Sequence, residues 1–346
     1  IRRPPRSTPS NSSAASDVYK RQVYNISDTM KALCVFSGGL DSMLAAQIIR
    51  AQGIEVLGIF FATPFFGPSR ATKSARIIDL PLKIVDITDL HLEMIKAPKH
   101  GMGKHMNPCI DCHALMCKVA RQMMEKEGAS FVITGEVLGQ RPMSQNRRGL
   151  ELVARDSGLG GLLLRPLSAK HLPLTIPEEK GWVDREKLLD IEGRSRKIQM
   201  QLAKTLGIKD YPSPAGGCLL TDEVFSRRLK DLLSDDHVSR EQIELLKLGR
   251  HFRLTQRAKV VVGRNEKENK LLLELREPED YVFQVPDFPS PITLLRGNKD
   301  KDSISYAARL TARYSDANTP YVSVEYGNDK DIRQKIPVEL AFATAT

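Results

Sequence analysis

Lys31-Ala-Leu-Cys-Val-Phe-Ser37-Gly38-Gly39-Leu40-Asp41-Ser42 is the stretch from which the rest of the chain can be read. Ala32–Phe36 is a short apolar run of strand character, followed by a turn of small residues. Asp41–Gln52 then carries Leu44, Ala45, Ile48 and Ile49 at helical spacing. Gly38 and Gly39 open backbone conformations closed to other residues and leave no side chain between the main chain and a ligand. Ser37, Asp41 and Ser42 add hydroxyls and a carboxylate where free N–H groups and the positive end of a helix dipole attract anions. A strand, turn and helix with this chemistry describe a phosphate site. The Walker pattern Gly-x-x-x-x-Gly-Lys-Ser/Thr is absent, so it is a different kind of phosphate loop.

Working outward, strand and helix alternate. Gly53 stops the first helix, and Val56–Phe61 is the next strand. A helix over 69–79 and a strand over 83–86 follow. A further helix is expected from Cys112 to Glu127, with Leu115, Met116, Val119, Ala120 and Met123 on its apolar face, then strand Phe131–Thr134. Leu162–Pro166 reads as one more strand, and Arg185–Leu206 and 222–233 read as helices. This alternation implies an α/β fold with a doubly wound parallel sheet, whose ligands gather at the carboxyl ends of the strands. Ser37–Ser42 and the polar loop Gly135–Asn146, with Gln140, Arg141, Ser144 and Gln145, both follow strand ends.

The last part changes character. Strands are expected over 259–263, 270–275, 281–285, 292–295 and 322–326, with a helix near 304–314, which makes a smaller C-terminal α+β domain. The expected domains are therefore 30–233 and 237–340, with a boundary near Asp235–Asp236. Residues 1–29, rich in Ser, Pro and Arg without apolar periodicity, read as a disordered or artefactual leader before Met30.

The 346 residues carry a formal charge of +10, which falls to +7 when 1–29 are set aside; either value suits a polyanionic partner. No apolar run approaches the roughly 20 residues of a membrane span, so no membrane partner is expected. Five cysteines are too few and too scattered for a secreted disulfide scaffold. With no hydrophobic signal core, the expectation is a cytoplasmic protein with reduced thiols.

Cys109 and Cys112 stand in a Cys-x-x-Cys turn at a helix start, where the dipole favours the thiolate. Cys218 follows a flexible Ala-Gly-Gly run. Three thiolates could hold three irons of a [4Fe-4S] cluster and leave the fourth open. Cys109, Cys112 and Cys218 with His113 also satisfy a Zn2+ site. Cys109-x-x-Cys112-His113 matches the c-type haem pattern too, which the missing export signal argues against. Cys117, about 140° round the helix from Cys112, and Cys34, inside the first strand, read as core. Leu248–Asn265 carries five cations, Arg250, Arg253, Arg257, Lys259 and Arg264, and no acid: a surface fit to follow phosphates. Arg165 and Arg194–Arg196 are further candidates for an RNA backbone.

Ser37-Gly-Gly-Leu-Asp-Ser42 resembles the Ser-Gly-Gly-x-Asp-Ser loop of the PP-loop ATP pyrophosphatases. Taken with Asn107-Pro-Cys-Ile-Asp-Cys112 and Ala215-Gly-Gly-Cys218, the chain from 31 to about 233 resembles the tRNA thiouridylases of that superfamily, including the 4-thiouridine synthases. The resemblance implies ATP binding by Ser37, Gly38, Gly39, Asp41, Ser42 and Gly135, with Mg2+ near Asp41, a uridine carbonyl adenylated by ATP, and oxygen replaced by sulfur. It gives Cys109, Cys112 and Cys218 catalytic or metal-ligating roles, through a [4Fe-4S] cluster or a Cys persulfide. The implied partners are tRNA and a sulfur donor, sulfide or a cysteine desulfurase-type protein. The basic segment resembles the NFACT-R type of RNA-binding domain, which implies RNA contacts for Arg250, Arg253, Arg257, Lys259 and Arg264, while Arg141, on the Gly135–Asn146 loop, is a candidate ATP or RNA contact beside the nucleotide. Two alternatives stand beside this reading: another PP-loop adenylating ligase or synthetase with a structural zinc, and a non-catalytic RNA-binding protein.

Overall fold

The computed structural model describes residues 30–213, 218–234, 238–328 and 333–340. The expected leader 1–29, the Ala-Gly-Gly run before Cys218 and the expected boundary at 235–236 lie outside the described residues. The chain divides into two units. One comprises residues up to 61, 68–85 and 113–214; the other comprises 62–67, 86–112 and 215–346.

The first unit is built on a sheet ordered β3-β2-β1-β4-β5, with β1 Lys31–Val35 at its centre, β2 Glu55–Ala62, β3 Leu82–Asp86, β4 Phe131–Thr134 and β5 Leu163–Leu164. β1 runs parallel to both neighbours, Cys34 lying opposite Gly58 on β2 and Ile133 on β4, and β4 is parallel to β5. The residues of β4 are all buried and β1 buries its middle three, as continuous apolar strands covered on both faces should. Helices α1 Leu40–Arg50, α2 Ser69–Ile77, the body of α4 Cys109–Glu127, α5 Arg147–Asp156, the single turn α6 Ile176–Glu179 and α7 Lys197–Thr205 complete it. The strand order reverses between β1 and β4. In an open α/β sheet that reversal is where a crevice opens at the carboxyl ends of the strands.

In the second unit, β6 Arg250–Thr255, β7 Ala258–Val262, β8 Tyr281–Gln284, β9 Thr293–Gly297, β10 Tyr321–Gly327 and β11 Gln334–Glu339 form an antiparallel sheet ordered β11-β10-β8-β9-β7-β6. Ala307 and Ala308 of α11 (Lys301–Arg313) pack with Val260, Phe283, Leu295 and Val324 of the sheet. A second core gathers Leu92 and Ile95 of α3 (Thr88–Lys96), Phe225 and Leu229 of α8 (Glu223–Leu232) and Ile243 of α9 (Arg240–Leu246) around Phe65 and Leu220. The fold class is the expected one: a parallel α/β sheet and a separate C-terminal α+β part.

Two expected elements are different. Residues 185–206 are not one helix. After a short 3-10 turn at Arg185–Lys187 the chain runs extended, donating Leu189 N–H to Pro166, Ile191 N–H to Leu167 and Gly193 N–H to Leu138. Gly193, at φ +87°, then turns it into α7. Leu188 and Ile191 are buried three residues apart, which imitates helical periodicity without a helix. Residues 270–275 are not a strand but the end of α10 (Glu266–Glu274) and its C-cap Leu275, and the helix is N-capped by the Asn265 side chain accepting the Glu268 N–H at 3.0 Å. In the Leu271-Leu272-Leu273 run Leu272 is fully buried, the helical pattern behind a run that reads as a strand.

Candidate functional site

The turn after β1 lies at the reversal of strand order. Gly38 adopts φ +74°, and a Cβ there would come within 2.6 Å of the Ala71 Cα on α2, so both conformation and space require glycine. Its carbonyl accepts the buried Ser74 hydroxyl at 2.7 Å, which fixes the loop to α2. Gly39 is the N-cap of α1 and supplies no side-chain acceptor to the first turn. The first-turn amides are therefore left for a ligand, while the Ser42 hydroxyl turns back to the Gly39 carbonyl at 2.8 Å. Ser37 is exposed at the mouth, with its hydroxyl 3.4 Å from that of Ser42. Gly135, at the end of β4, abuts this turn: a Cβ on it would stand 2.5 Å from the Ser42 nitrogen.

Asp41 begins α1. Its Oδ2 accepts the Gln140 side-chain N–H at 2.8 Å, and Gln140 accepts in turn from Gln199 at 3.2 Å. Its Oδ1 is buried and has no hydrogen-bond partner among the described residues. A buried, unpartnered carboxylate oxygen beside a helix N-terminus is a donor suited to a hard cation such as Mg2+.

Glu136, which sequence reading missed, follows Gly135 and is 5% exposed. It accepts from the Thr134 hydroxyl at 3.0 Å and from Arg165 Nε at 2.9 Å, and pairs with His113 Nδ1 at 2.7 Å. Burial alone would raise its carboxyl; the Arg165 charge and the His113 hydrogen bond outweigh burial and hold it at about 2. Arg165 is thus buried, bonded also to the Leu150 carbonyl, and does not offer itself to RNA as its sequence suggested. Arg141 is exposed on the Gly135–Asn146 loop.

The three candidate thiols fall together in the second unit. Cys109 and Cys112 both lie in the first turn of α4, three residues earlier than the expected helix start. Cys218, packed against the Phe65–Phe225 core, is close enough to Cys109 for the two to interact electrostatically. Burial, with a smaller contribution from Cys109, pushes the Cys218 thiol up to about 11. Cys112 is buried with His91 Nε2 3.3 Å from its sulfur. His91, another residue missed in the sequence, is fully buried between Phe65 and Phe66, their ring centroids at 5.4 and 5.7 Å. It stands on α3, an element the sequence reading did not anticipate. Cys34 and Cys117 are core, as expected; burial pushes Cys34 up to about 12 and Cys117 higher. Among the described residues, no three His, Cys, Asp or Glu side chains gather as a metal-holding group.

Burial pushes His91 down to about 4, and burial with the Arg228 charge takes His251 down to about 3, from an ordinary 6.5. Both folded values lie below the unfolded one. Their contribution to stability is complete above about pH 6.5 and is lost as pH falls through the folded values. Urea midpoints should therefore fall between pH 7.5 and pH 4.5, and fall less in His91→Phe, which keeps the ring packing. A wild-type midpoint unchanged over that range would contradict the burial of these neutral rings.

The basic segment forms the β6–β7 hairpin. Arg253 and Lys259 are cross-strand neighbours and both pair with Asp231 of α8, at 2.7 and 3.1 Å. Arg264 pairs with Glu268 at 2.8 Å, and Arg250 lies over the Tyr314 ring, 4.5 Å from its centroid. Arg257, at the exposed tip, has no ion pair among those described, although its carbonyl accepts from Asn298.

Residues 28–171 match the family model for the thiamine biosynthesis protein (ThiI), and residues 249–345 match that for the NFACT protein RNA binding domain. The first part of the chain is thus similar to proteins of the tRNA-thiolation family. Its last part is similar to the NFACT-type RNA-binding domain. A "Probable tRNA sulfurtransferase" of Thermoanaerobacter pseudethanolicus is 32% identical over 123 residues, 32% of this chain and 30% of the relative. The "tRNA-specific 2-thiouridylase MnmA" of Sulfurimonas denitrificans is 30% identical over 118 residues, 31% of this chain and 35% of the relative. A solved 4-thiouridine synthetase in complex with RNA and bound ATP is 23% identical, covering 52% of each chain with a TM-score of 0.35. The chain thus spans about a third of the length of the curated relatives it matches.

Within the first unit, the motif residues Ser37–Ser42 and Gly135 come together at the switch point. Glu136 could have been found as an acid immediately after a strand-end glycine. His91 carried no comparable signal: one histidine in an amphipathic stretch reads as core. Among the described residues, no helix is long and apolar enough to cross a membrane.

Proposed function

We propose that this protein is a cytoplasmic, ATP-dependent tRNA sulfurtransferase, with residues 30–233 supplying the PP-loop chemistry and 237–340 the RNA hold. The observation that carries the reading is the uncapped first turn of α1 at the β1–β4 reversal, with Asp41 at its start. Ser37, Gly38, Gly39, Ser42 and the close-packed Gly135 form a turn whose amides can hold the phosphates of ATP. Asp41, through Oδ1, would hold Mg2+, which when bound neutralises the pyrophosphate as it departs.

Adenylation of a uridine carbonyl converts its oxygen into part of AMP, a good leaving group. Sulfur is then carried as a persulfide on Cys218. Its terminal sulfur attacks the activated carbon and AMP leaves with the oxygen. The Cys109 thiolate next attacks the Cys218 sulfur, releasing the thiolated base and leaving a Cys109–Cys218 disulfide. A dithiol reductant must reopen that disulfide, and the Cys218 thiolate must then take the outer sulfur of a persulfide on a cysteine desulfurase-type donor, whose own thiolate is the leaving group. His91 holds the Cys112 thiol in place, which leaves Cys109 and Cys218 as the working pair. The target uridine must be flipped out or lie in a loop to enter such a site.

The test separates the half-reactions. Cys109→Ala and Cys218→Ala should keep tRNA-dependent pyrophosphate release within about threefold while losing thiouridine formation by more than a hundredfold. If both still thiolate tRNA, the sulfur assignment fails and an adenylating ligase becomes the better reading. If no tRNA elicits AMP, an RNA-binding role alone remains.

On the hairpin, Arg257→Ala should lower tRNA affinity and reduce the salt slope of log Kd by about 1. Arg253→Ala, which leaves the Asp231 charge to Lys259 alone, should weaken binding more than a single lost phosphate contact. Equal, salt-independent effects of the two would argue against RNA contact by this hairpin.

A further inference from the structure

We propose that Gln199, 158 residues along the chain from Asp41, is a positioning residue of the nucleotide loop. Acting through Gln140, it fixes the Asp41 carboxylate so that Oδ2 is held and Oδ1 is presented to a divalent cation. The inference rests on the reading of Ser37–Ser42 as the nucleotide site.

Gln199 is fully buried on α7, which packs along α1 in the same unit. A leucine would fill that position at no polar cost. Glutamine instead leaves its Oε1 buried without a hydrogen-bond partner among the described residues, an arrangement that folding alone disfavours. What it gains is one bond, from Nε2 to Gln140 Oε1 at 3.2 Å.

The polarity of the chain is set from its far end. An ionised carboxylate only accepts, so Gln140 must point its NH2 at Asp41, at 2.8 Å. Its carbonyl oxygen therefore faces Gln199, which must donate. Each amide has a single allowed orientation, and the bonds polarise one another in one direction. Without Gln199, Gln140 keeps a bond to Asp41 but loses the group that holds its own rotamer, and the carboxylate is free to turn. The loop around Gln140 is tied to the same region: Gly139 N–H bonds the Gln145 carbonyl at 2.6 Å, and Leu138 bridges to Glu192 just before α7.

The test is binding of a methylanthraniloyl-labelled ATP by the full chain, titrated with Mg2+ and in parallel in EDTA. Gln199→Met and Gln140→Met, both close to isosteric, should each raise the Mg2+ concentration for half-maximal nucleotide binding by about three- to tenfold. Affinity in EDTA should stay within twofold. Because Gln199 acts only through Gln140, the double variant should be no worse than Gln140→Met alone.

Equal weakening with and without Mg2+, or additive effects in the double variant, would show a merely structural role and overturn the proposal. An unmoved Mg2+ dependence in Gln199→Met, beside a wild type that binds Mg2+ and nucleotide together, would also overturn it while leaving the nucleotide loop standing. A wild type that binds no nucleotide in either medium removes the reading of Ser37–Ser42 and the proposal with it. Should Gln199→Met melt below the assay temperature, Gln140→Met carries the test alone, and an unchanged Mg2+ dependence there overturns the proposal.

Discussion

Gly135→Ala should abolish nucleotide-dependent chemistry while leaving most of the fold intact. The added Cβ would meet the Ser42 nitrogen at 2.5 Å, the Asp41 carbonyl carbon at 2.6 Å and the Ser42 Cα at 2.7 Å. All three are backbone atoms, so no flexible side-chain end can yield. Either β4 or the start of α1 must shift by several tenths of an ångström. The overpacking should cost about 1–3 kcal/mol, which the β1–β4 core can absorb. Function tolerates far less: a displacement approaching 1 Å at a reacting centre costs on the order of 100-fold in rate. Pyrophosphate exchange should therefore fall at least 100-fold with a circular dichroism spectrum like that of the wild type. Gly53→Ala is the internal control: its glycine has positive φ, +79°, but no neighbour within 4 Å, so it should lose stability only. If Gly135→Ala retains exchange, the turn at 37–42 does not work as the nucleotide loop.

Arg165→Met should be the most destabilising single substitution in the first unit. Glu136 would keep its buried position but lose the cation that outweighs burial. Removing one partner of such a pair costs about 3–5 kcal/mol, equivalent to roughly 6–20 °C in Tm for a unit of this size. The pH dependence identifies the cause. In the wild type the Glu136 carboxyl is depressed to about 2, below its unfolded value near 4.5. Its stabilising contribution is thus present above about pH 4.5 and is lost as pH falls through 2. In Arg165→Met burial dominates and raises the carboxyl instead. The deficit against wild type should be greatest at neutral and alkaline pH and should shrink toward pH 4. Guanidinium midpoints at pH 8 and pH 4.5 measure this directly; a constant deficit would mean that lost packing, not a stranded charge, is responsible.

The sequence was most legible where a residue must be what it is for local reasons. Gly38 needs both its positive φ and its contact with Ala71, and apolar runs such as Ala32–Phe36 and Phe131–Thr134 mark central parallel strands. Together these gave the sheet and its ligand edge. Reading failed where tertiary contact overrides local pattern. The segment around Ile191 runs extended because its amides reach Leu167 and Leu138, partners that no local rule reveals. The Leu271–Leu273 run is helical because Asn265 caps it and a single leucine faces the core. Of the site, the motif residues could be named in advance, but their regulators could not. Glu136, His91 and Gln199 matter through partners 23, 21 and 59 positions away in sequence.

The order in which the second unit's pieces occur along the chain has a consequence for its biosynthesis. Beyond Phe65, Leu92 and Ile95 share their core with Leu220, Phe225, Leu229 and Ile243, all on the far side of the whole 113–214 stretch. At ribosomal speeds of about 5–20 residues per second, the Cys109–Cys112 turn leaves the exit tunnel roughly 6–24 s before α8 is available to complete the core behind His91. A nascent chain stalled near residue 200 should therefore alkylate rapidly at Cys112, and that thiol, buried in the folded protein, should fall quiet once α8 has left the tunnel.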